Sequence, residues 1–600
     1  MKSIYLLLLL CLSMGIISCN KDEVITEAVP LLPEITLDSE NNTYSVKVGR
    51  TLTISPTVKH AENAFYEWTI DGVKISNELT LTRQWHEPGE VFIKFKVSND
   101  YGISTEEIKV EVAELAPPVI SLALPASGLK VLPGTDYIFT PDIQNADLDE
   151  FKCKWIRENN IVAEGISYTF NESELGTYTI VCHASNIDGE TSREIQVEVV
   201  GQLPYKVRFE QQSYFRPSTD RYVFINTPIF LEAITENLEA PIFNWSIDNN
   251  NIENQQSQLL KYTPVEAGEH TVTVTVTEGN QPVMQLTRNI ARALSSVSTT
   301  VKVVCVDATQ EERYRAATAA SSPVWNKVYE YTPAPGQFIG ELNTGGFNGT
   351  ETTPEAAVNY AEKRLKAKSW VSLGAFGGYI VVGFDHSIPK RAQTEEKYDF
   401  TIQGNAFDGS SEPGIVWVMQ DINKNGLPDD EWYELRGCET GLNTTIQNYA
   451  VTYYRPAGKQ MSVQWTDSKK GSGSIDYLPS FHTQDYYYPK WVSEDTYTLR
   501  GTRLRQNNSQ DPSTGFWNNK SYDWGYADNF GKDRLGGDTV DGSNQTNGFK
   551  ISNAMYRDGT LVDLKFIDFI KVQTGVQVKS GWLGEVSTEV FCFTDLSIDQ

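Results

Sequence analysis

The stretch VMQDINKNGLPDDEWYELRG, residues 418–437, begins and ends as alternating strand, yet between its ends it spaces oxygen-bearing side chains as a calcium loop does. Counted as an EF-type loop, Asp421, Asn423 and Asn425 take positions 1, 3 and 5, and Gly426 makes the sharp turn at 6. Leu427 offers its backbone carbonyl at 7 and Asp429 stands at 9. Position 12, which normally supplies a bidentate carboxylate, is Trp432. That ligand must therefore come from Asp430, Glu431 or another segment such as Asp408 or Glu412, and Glu431 completes the expected set. With amides at two positions the charge is low, so a structural calcium ion bound at roughly 0.1 to 1 mM is expected. The competing reading is a long hairpin turn built from the Asn-Gly and Pro-Asp signals.

A second chemistry-bearing pattern is aromatic. FHTQDYYYPKW offers Tyr486, Tyr487, Tyr488 and Trp491, and GFWNNKSYDWGYADNF offers Trp517, Tyr522, Trp524 and Tyr526, with Asn518 and Asn519 beside them. Strand alternation cannot bury three consecutive tyrosines on one face, so at least one ring is expected outside. Rings with a polar tip give large contact area at low entropic cost, which suits stacking on a sugar or on another flat ligand. Tyr486, Tyr487, Tyr488, Trp491, Trp517, Asn518, Tyr522 and Tyr526 form the candidate ligand-binding set; the alternative is that these rings close the fold and stiffen long loops.

Catalytic signatures are scarce. The six histidines are scattered, with no HExxH, and there is no G-x-S-x-G elbow and no phosphate-cradling glycine loop before a helix. A glycosidase-like carboxylate pair leaves no trace in spacing, but the expected class is a binding protein rather than an enzyme. The chain carries 51 basic against 78 acidic residues, a net charge of −27, which argues against nucleic-acid binding through phosphates.

The elements that must position these groups are mostly strands. FYEWTIDG, FKCKWIREN and IFNWSIDNN place Trp68, Trp155 and Trp245 at intervals of 87 and 90 residues. Each is followed by a glycine and a strand of period two: GEVFIKFKVSN, GTYTIVCHASN and GEHTVTVTVTE. Cys153 and Cys182 fall on the inward sets of two such strands, where they either pair or remain buried thiols. The third repeat carries a long insert, EQQSYFRPSTDRYVF. After Cys305 the composition shifts. TPEAAVNYAEKRLKAK reads as the one helix, with Pro354 in its first turn and basic residues at its end, and everything beyond it reads as strand and turn.

The W-x-I-D-G and G-x-Y/H-x-V-x-V patterns resemble PKD-like domains, immunoglobulin-like sandwiches of surface proteins, well in the first two repeats and loosely in the third. Leu373–Asp385, Gly404–Phe407, Glu412–Val418 and Trp432–Leu435, with SYDWGYADN, resemble a galactose-binding-like jelly roll of bacterial surface proteins. Proteins of Bacteroidota with this pairing resemble lipoproteins found beside vitamin B12 uptake systems. The resemblance implies a corrinoid ligand and a partner outer-membrane transporter, with a glycan as the alternative ligand and an adhesion or scaffold role as a third possibility. At the start of the chain, a short apolar run ending in IISC resembles a bacterial lipobox, which implies lipidation at Cys19, and NKDE after it resembles an export signal to the cell surface.

The expected architecture is all-β: signal peptide 1–19, linker 20–33, PKD-like sandwiches at 34–114, 117–200 and 203–308 acting as a stalk, then a jelly-roll β-sandwich with one helix at 309–600.

Overall fold

A computed structural model of the chain describes residues 31–279, 296–342, 344–391, 398–535 and 546–598. The signal segment, Cys19 and most of the linker lie outside them. The chain divides into two compact units, with the division falling between Ala116 and Pro117 in sequence.

The first unit is one sandwich. Its five-stranded sheet runs in the order Thr43–Lys47, Gly102–Ala113, Gly89–Asn99, Phe65–Ile70, Val73–Ser76. Two short ladders, Glu34–Thr36 with Thr57–Lys59 and Thr51–Ile54 with Leu81–Gln84, complete it. Thr43–Lys47 pairs in parallel and its neighbours antiparallel. Period-two alternation buries Ile93, Phe95 and Val97 from one strand and Ile108, Val110 and Val112 from the next. Trp68 is fully buried, stacks on Phe95 at 4.2 Å, and donates its indole N–H to the Glu78 carbonyl at 2.8 Å.

The second unit repeats this plan twice. Leu129–Val131, Gly189–Val199, Gly176–Asn186, Lys152–Arg157 and Asn160–Glu164 form one sheet. Arg221–Phe224, Ser296–Val306, Gly268–Glu278, Pro241–Ile247 and Asn250–Asn251 form the other. Trp155 and Trp245 take the place of Trp68, with indole N–H groups on the carbonyls of Ile166 at 3.2 Å and Ser257 at 2.9 Å. A buried indole needs a partner for its one donor, and the repeat supplies a carbonyl from the same strand-following turn each time. Cys153 and Cys182 are buried free thiols on neighbouring strands, their sulfurs 3.9 Å apart.

The rest of the second unit is a further β-sandwich region around one hydrophobic core. Its antiparallel six-stranded sheet runs Lys327–Thr332, Tyr379–Pro389, Phe566–Thr574, Gly414–Met419, Tyr433–Leu435, Ala554–Met555. A four-stranded sheet, Ser472–Ile475, Val463–Asp467, Ile446–Tyr454, Thr496–Arg503, packs beside it, joined where Gln573 Nε2 donates to the Arg500 carbonyl at 3.0 Å. The expected helix spans Pro354–Lys366; Thr353 Oγ1 accepts the Ala356 N–H at 3.2 Å, and Ala357, Tyr360, Ala361 and Leu365 form its buried stripe. It is not the sole helix: Gln310–Arg313 makes one turn behind a Thr309–Glu312 capping box. Four residues are too few to show a helical period, which is why the sequence reading passed over them.

The second and third sandwiches keep hydrophobic cores of their own and share one compact unit with the C-terminal region. The third sandwich meets the C-terminal region largely through the insert of its repeat. Ser213 Oγ donates to Glu330 at 2.8 Å, the Tyr214 N–H reaches the Tyr379 hydroxyl at 3.0 Å, and the Tyr214 ring meets Tyr497 edge-on at 4.8 Å. Glu210 pairs with Arg557, and Phe230, just beyond the insert, lies 4.9 Å from Tyr556.

Candidate functional site

The loop between the strands Gly414–Met419 and Tyr433–Leu435 is organised by its own side chains. Asp421 Oδ1 and Oδ2 accept the N–H groups of Asn425 at 3.1 Å and Gly426 at 3.0 Å, Asn423 Oδ1 accepts that of Asn425 at 2.9 Å, and Asn425 Oδ1 accepts that of Leu427 at 2.7 Å. The amide nitrogens of Asn423 and Asn425 donate to Asp429 at 3.1 and 2.8 Å, and the Leu427 carbonyl accepts the Asp429 N–H at 3.0 Å. Gly426 has φ +72°, the left-handed conformation that the sharp turn requires.

Glu431 does not belong to this set. Glu431, just ahead of the strand at Tyr433, turns toward the third sandwich. There it pairs with Arg221 at 3.3 Å and accepts from Gln212 at 3.4 Å. Asp430 turns inward instead: its Oδ2 accepts the Ile422 N–H at 3.0 Å. Burial first, and then the charges of Asp421 and Asp429, push its carboxyl up to about 9. The doubled acid at the end of the loop was the signal in the sequence, and only the side-chain direction selects between its members.

The aromatic set needs a larger correction. Tyr487, Tyr488, Trp491, Tyr522 and Tyr526 are buried members of the core. The Tyr487 hydroxyl donates to the His482 carbonyl at 2.9 Å, that of Tyr488 to Glu494 at 2.9 Å and that of Tyr522 to Arg505 at 2.6 Å, while that of Tyr526 accepts the Glu439 N–H at 3.1 Å. Trp491 lies against Phe347 at 5.8 Å. The segment holding the three tyrosines is irregular backbone, so two neighbours can face the same core without alternating. Tyr486 and Trp517 are half-buried and Asn518 is exposed, so only these three of the eight keep access to solvent.

An open concavity lies elsewhere. A cleft of about 320 Å³ is lined by Tyr398, Trp524 and Phe549, with Arg436, Lys532, Asp533, Lys550 and Asn553 among its polar groups. Gly548 lets the Tyr398 ring lie flat against the backbone, since a Cβ there would stand 2.5 Å from that ring. Asp533 anchors the wall by accepting the Gly525 N–H at 2.7 Å and Asn547 Nδ2 at 3.1 Å, and burial raises its carboxyl to about 6. Lys532 pairs with Asp523 at 2.8 Å. Of these residues the sequence reading had singled out only Trp524. The others come from segments far apart in the chain, and nothing in their local spacing links them.

A second buried acidic group was also missed. Glu412, Asp528 and Glu589 hold carboxylate oxygens within 4.8 Å of one another, the one such group among the described residues. Asp528 accepts the N–H groups of Asn405 at 2.8 Å, Ala406 at 2.9 Å and Glu589 at 2.8 Å. Burial and then the charge of Glu589 drive the Glu412 and Asp528 carboxyls well above the ordinary range, and nearby Glu585 rises to about 8, chiefly by burial. Such a group holds protons at neutral pH rather than full charge.

Two segments, 32–99 and 117–186, match the family described as PKD-like domain, which together with the shared sheet order identifies tandem PKD-like, immunoglobulin-like sandwiches. No curated protein matches the chain. Among solved structures, the I-band fragment I67–I69 from titin is 14% identical, covers 46% of this chain and 99% of its own, and superposes with a TM-score of 0.21. The three N-terminal domains of the Highly Immunogenic Outer Capsid protein of bacteriophage RB49 are 15% identical, at 46% and 100% coverage and a TM-score of 0.22. The fibronectin(III)-like modules of Clostridium thermocellum CbhA are 17% identical, at 28% and 94% coverage and a TM-score of 0.17.

Proposed function

We propose that the chain is a non-catalytic capture protein, lipid-anchored through Cys19 at the outer face of the outer membrane, that takes a ring-bearing nutrient and passes it to a transporter. The observation that carries this reading is the cleft at Trp524. It sets flat apolar rings beside three cationic side chains, Arg436, Lys532 and Lys550, with Asn553 as an amide partner. A ligand joining a flat ring to a phosphate or to carbonyl groups complements it: the ring stacks on the aromatic wall and the polar groups meet the rim. A corrinoid is the leading ligand, by the resemblance of the C-terminal region. At about 320 Å³ the cleft takes one ring of it and the attached anionic group rather than the whole macrocycle. The same size suits a saccharide ring, the second reading.

A binding role also accords with the carboxylates. Of Glu412, Asp528 and Glu589, Asp528 is fully buried and spends its oxygens on the backbone N–H groups of Asn405, Ala406 and Glu589.

The test is retention of cyanocobalamin by the full-length chain on gel filtration, beside retardation in polysaccharide gels, for wild type, Trp524→Ala and Arg436→Ala. Losing the Trp524 stack is expected to weaken the retained ligand by about 2 kcal/mol, roughly 30-fold. Retention of cyanocobalamin supports the corrinoid reading, and retardation alone moves the ligand to a glycan. If neither ligand is held, or if both variants bind as wild type does, the capture role at this cleft is wrong.

A further inference from the structure

The turns inside the loop 421–430 would fold equally well in a plain hairpin, so the informative atom is Asp430 Oδ1. Asp430 is fully buried, and while its Oδ2 accepts a backbone N–H, Oδ1 has no hydrogen-bond partner. Its nearest charged company is acidic: Asp421, also buried, and Asp429. A buried carboxyl oxygen left unpartnered beside two other carboxylates is relieved either by a proton or by a bound positive charge. No lysine or arginine pairs with Asp430 among the ion pairs of the described residues; Arg221, the nearby cation of the third sandwich, is taken by Glu431.

We propose that this loop binds a calcium-type divalent cation, that Asp430 supplies the carboxylate missing at Trp432, and that the bound ion clamps the third sandwich onto the C-terminal region. The donors are the carboxylates of Asp421, Asp429 and Asp430, which do not all lie within 4.8 Å of one another and which the ion must draw together, with the side-chain oxygens of Asn423 and Asn425 and the Leu427 carbonyl. This is an all-oxygen set with neutral members in an adaptable loop, which favours calcium over magnesium. The clamp follows from adjacency. Asp430 and Glu431 are consecutive, so holding one inward fixes the other against Arg221 and Gln212. The cation thus bears on the interdomain contact without touching it.

The experiment uses the full-length chain, stripped with EDTA and dialysed. Calorimetric titration with calcium chloride is expected to show one more site in wild type than in Asp421→Ala, with a Kd of roughly 0.1 to 1 mM. Asp430→Asn is expected to weaken that site at least tenfold while leaving the metal-free melting temperature equal or higher, because the neutral amide relieves the crowding of carboxylates. Asn425→Ala, at an exposed position, is expected to weaken it severalfold without risk to folding. Equal stoichiometry and affinity in wild type and all three variants would overturn the site. Hydrogen exchange reads the clamp: calcium is expected to slow exchange in residues 209–224 as well as in 421–431. Slowing confined to the loop would overturn the clamp while leaving the site.

Discussion

The second and third sandwiches are built alike and docked differently. Both have the same five-strand order and the same buried tryptophan with its indole on a backbone carbonyl. The second meets the C-terminal region through hydrogen bonds such as Gln144 Nε2 to the Lys459 carbonyl, the Ala457 N–H to Ser121 Oγ and Gln464 Nε2 to the Thr140 carbonyl, each at 3.2 Å. The third inserts Ser213 and Tyr214 and buries Arg221 against Glu431. The repeat therefore specifies the sandwich, whereas the insert and the strand edges around it specify the docking.

The largest expected effect comes from breaking the buried pair. Arg221→Met leaves Glu431 without its charged partner, and removing one member of such a pair costs about 3 to 5 kcal/mol. Urea unfolding of the full-length chain measures this, and a loss below about 1 kcal/mol would reduce the third interface to the level of the second.

Proton linkage sharpens the contrast next. Glu434 lies in the sheet beside this interface, where Thr502 Oγ1 donates to it, and burial raises it to about 7. Its unfolded value is near the ordinary one of about 4.3, so the unfolded chain releases the proton first as pH rises. Stability from this group is then fully present below about pH 4, falls as pH climbs and levels off above the folded value of about 7. In EDTA buffer the chain is expected to lose ~3 kcal/mol from this group between pH 4 and pH 8, and Glu434→Gln to flatten that fall. A wild-type profile with no decline over this range, or a variant profile as steep as wild type, would contradict the assignment.

The smallest effect belongs to the second sandwich. Gln144→Ala together with Gln464→Ala removes two exposed amide contacts and is expected to cost under about 1 kcal/mol in the same unfolding assay. A loss matching that of Arg221→Met would erase the distinction between the two interfaces.

How much could be read in advance divides along the same line. Trp68, Trp155 and Trp245 announce their sandwiches because each sits in a strand whose period is visible within a dozen residues. The hairpin around residues 421–431 and the helix at Pro354 were legible for the same reason. Tyr487 and Tyr488 were not: in irregular backbone no period says which way a side chain turns, and a ring suited to a ligand suits a core equally well. Glu431 and Asp430 show the limit at single-residue scale, since both lie ahead of the strand at Tyr433, where no period says which acid turns inward.

What the sequence determined alone was local: the repeat, the strand faces, the loop with its oxygens, the acidic charge. Which segments meet was left to tertiary structure. The cleft draws Tyr398, Arg436, Trp524 and Lys550 from separate segments spread over about 150 residues, and the insert of the third repeat finds its partner only once both are folded. Backbone periodicity records the face a residue turns toward a core, a short-range property. A pocket depends on long-range packing, and no spacing along the chain encodes that.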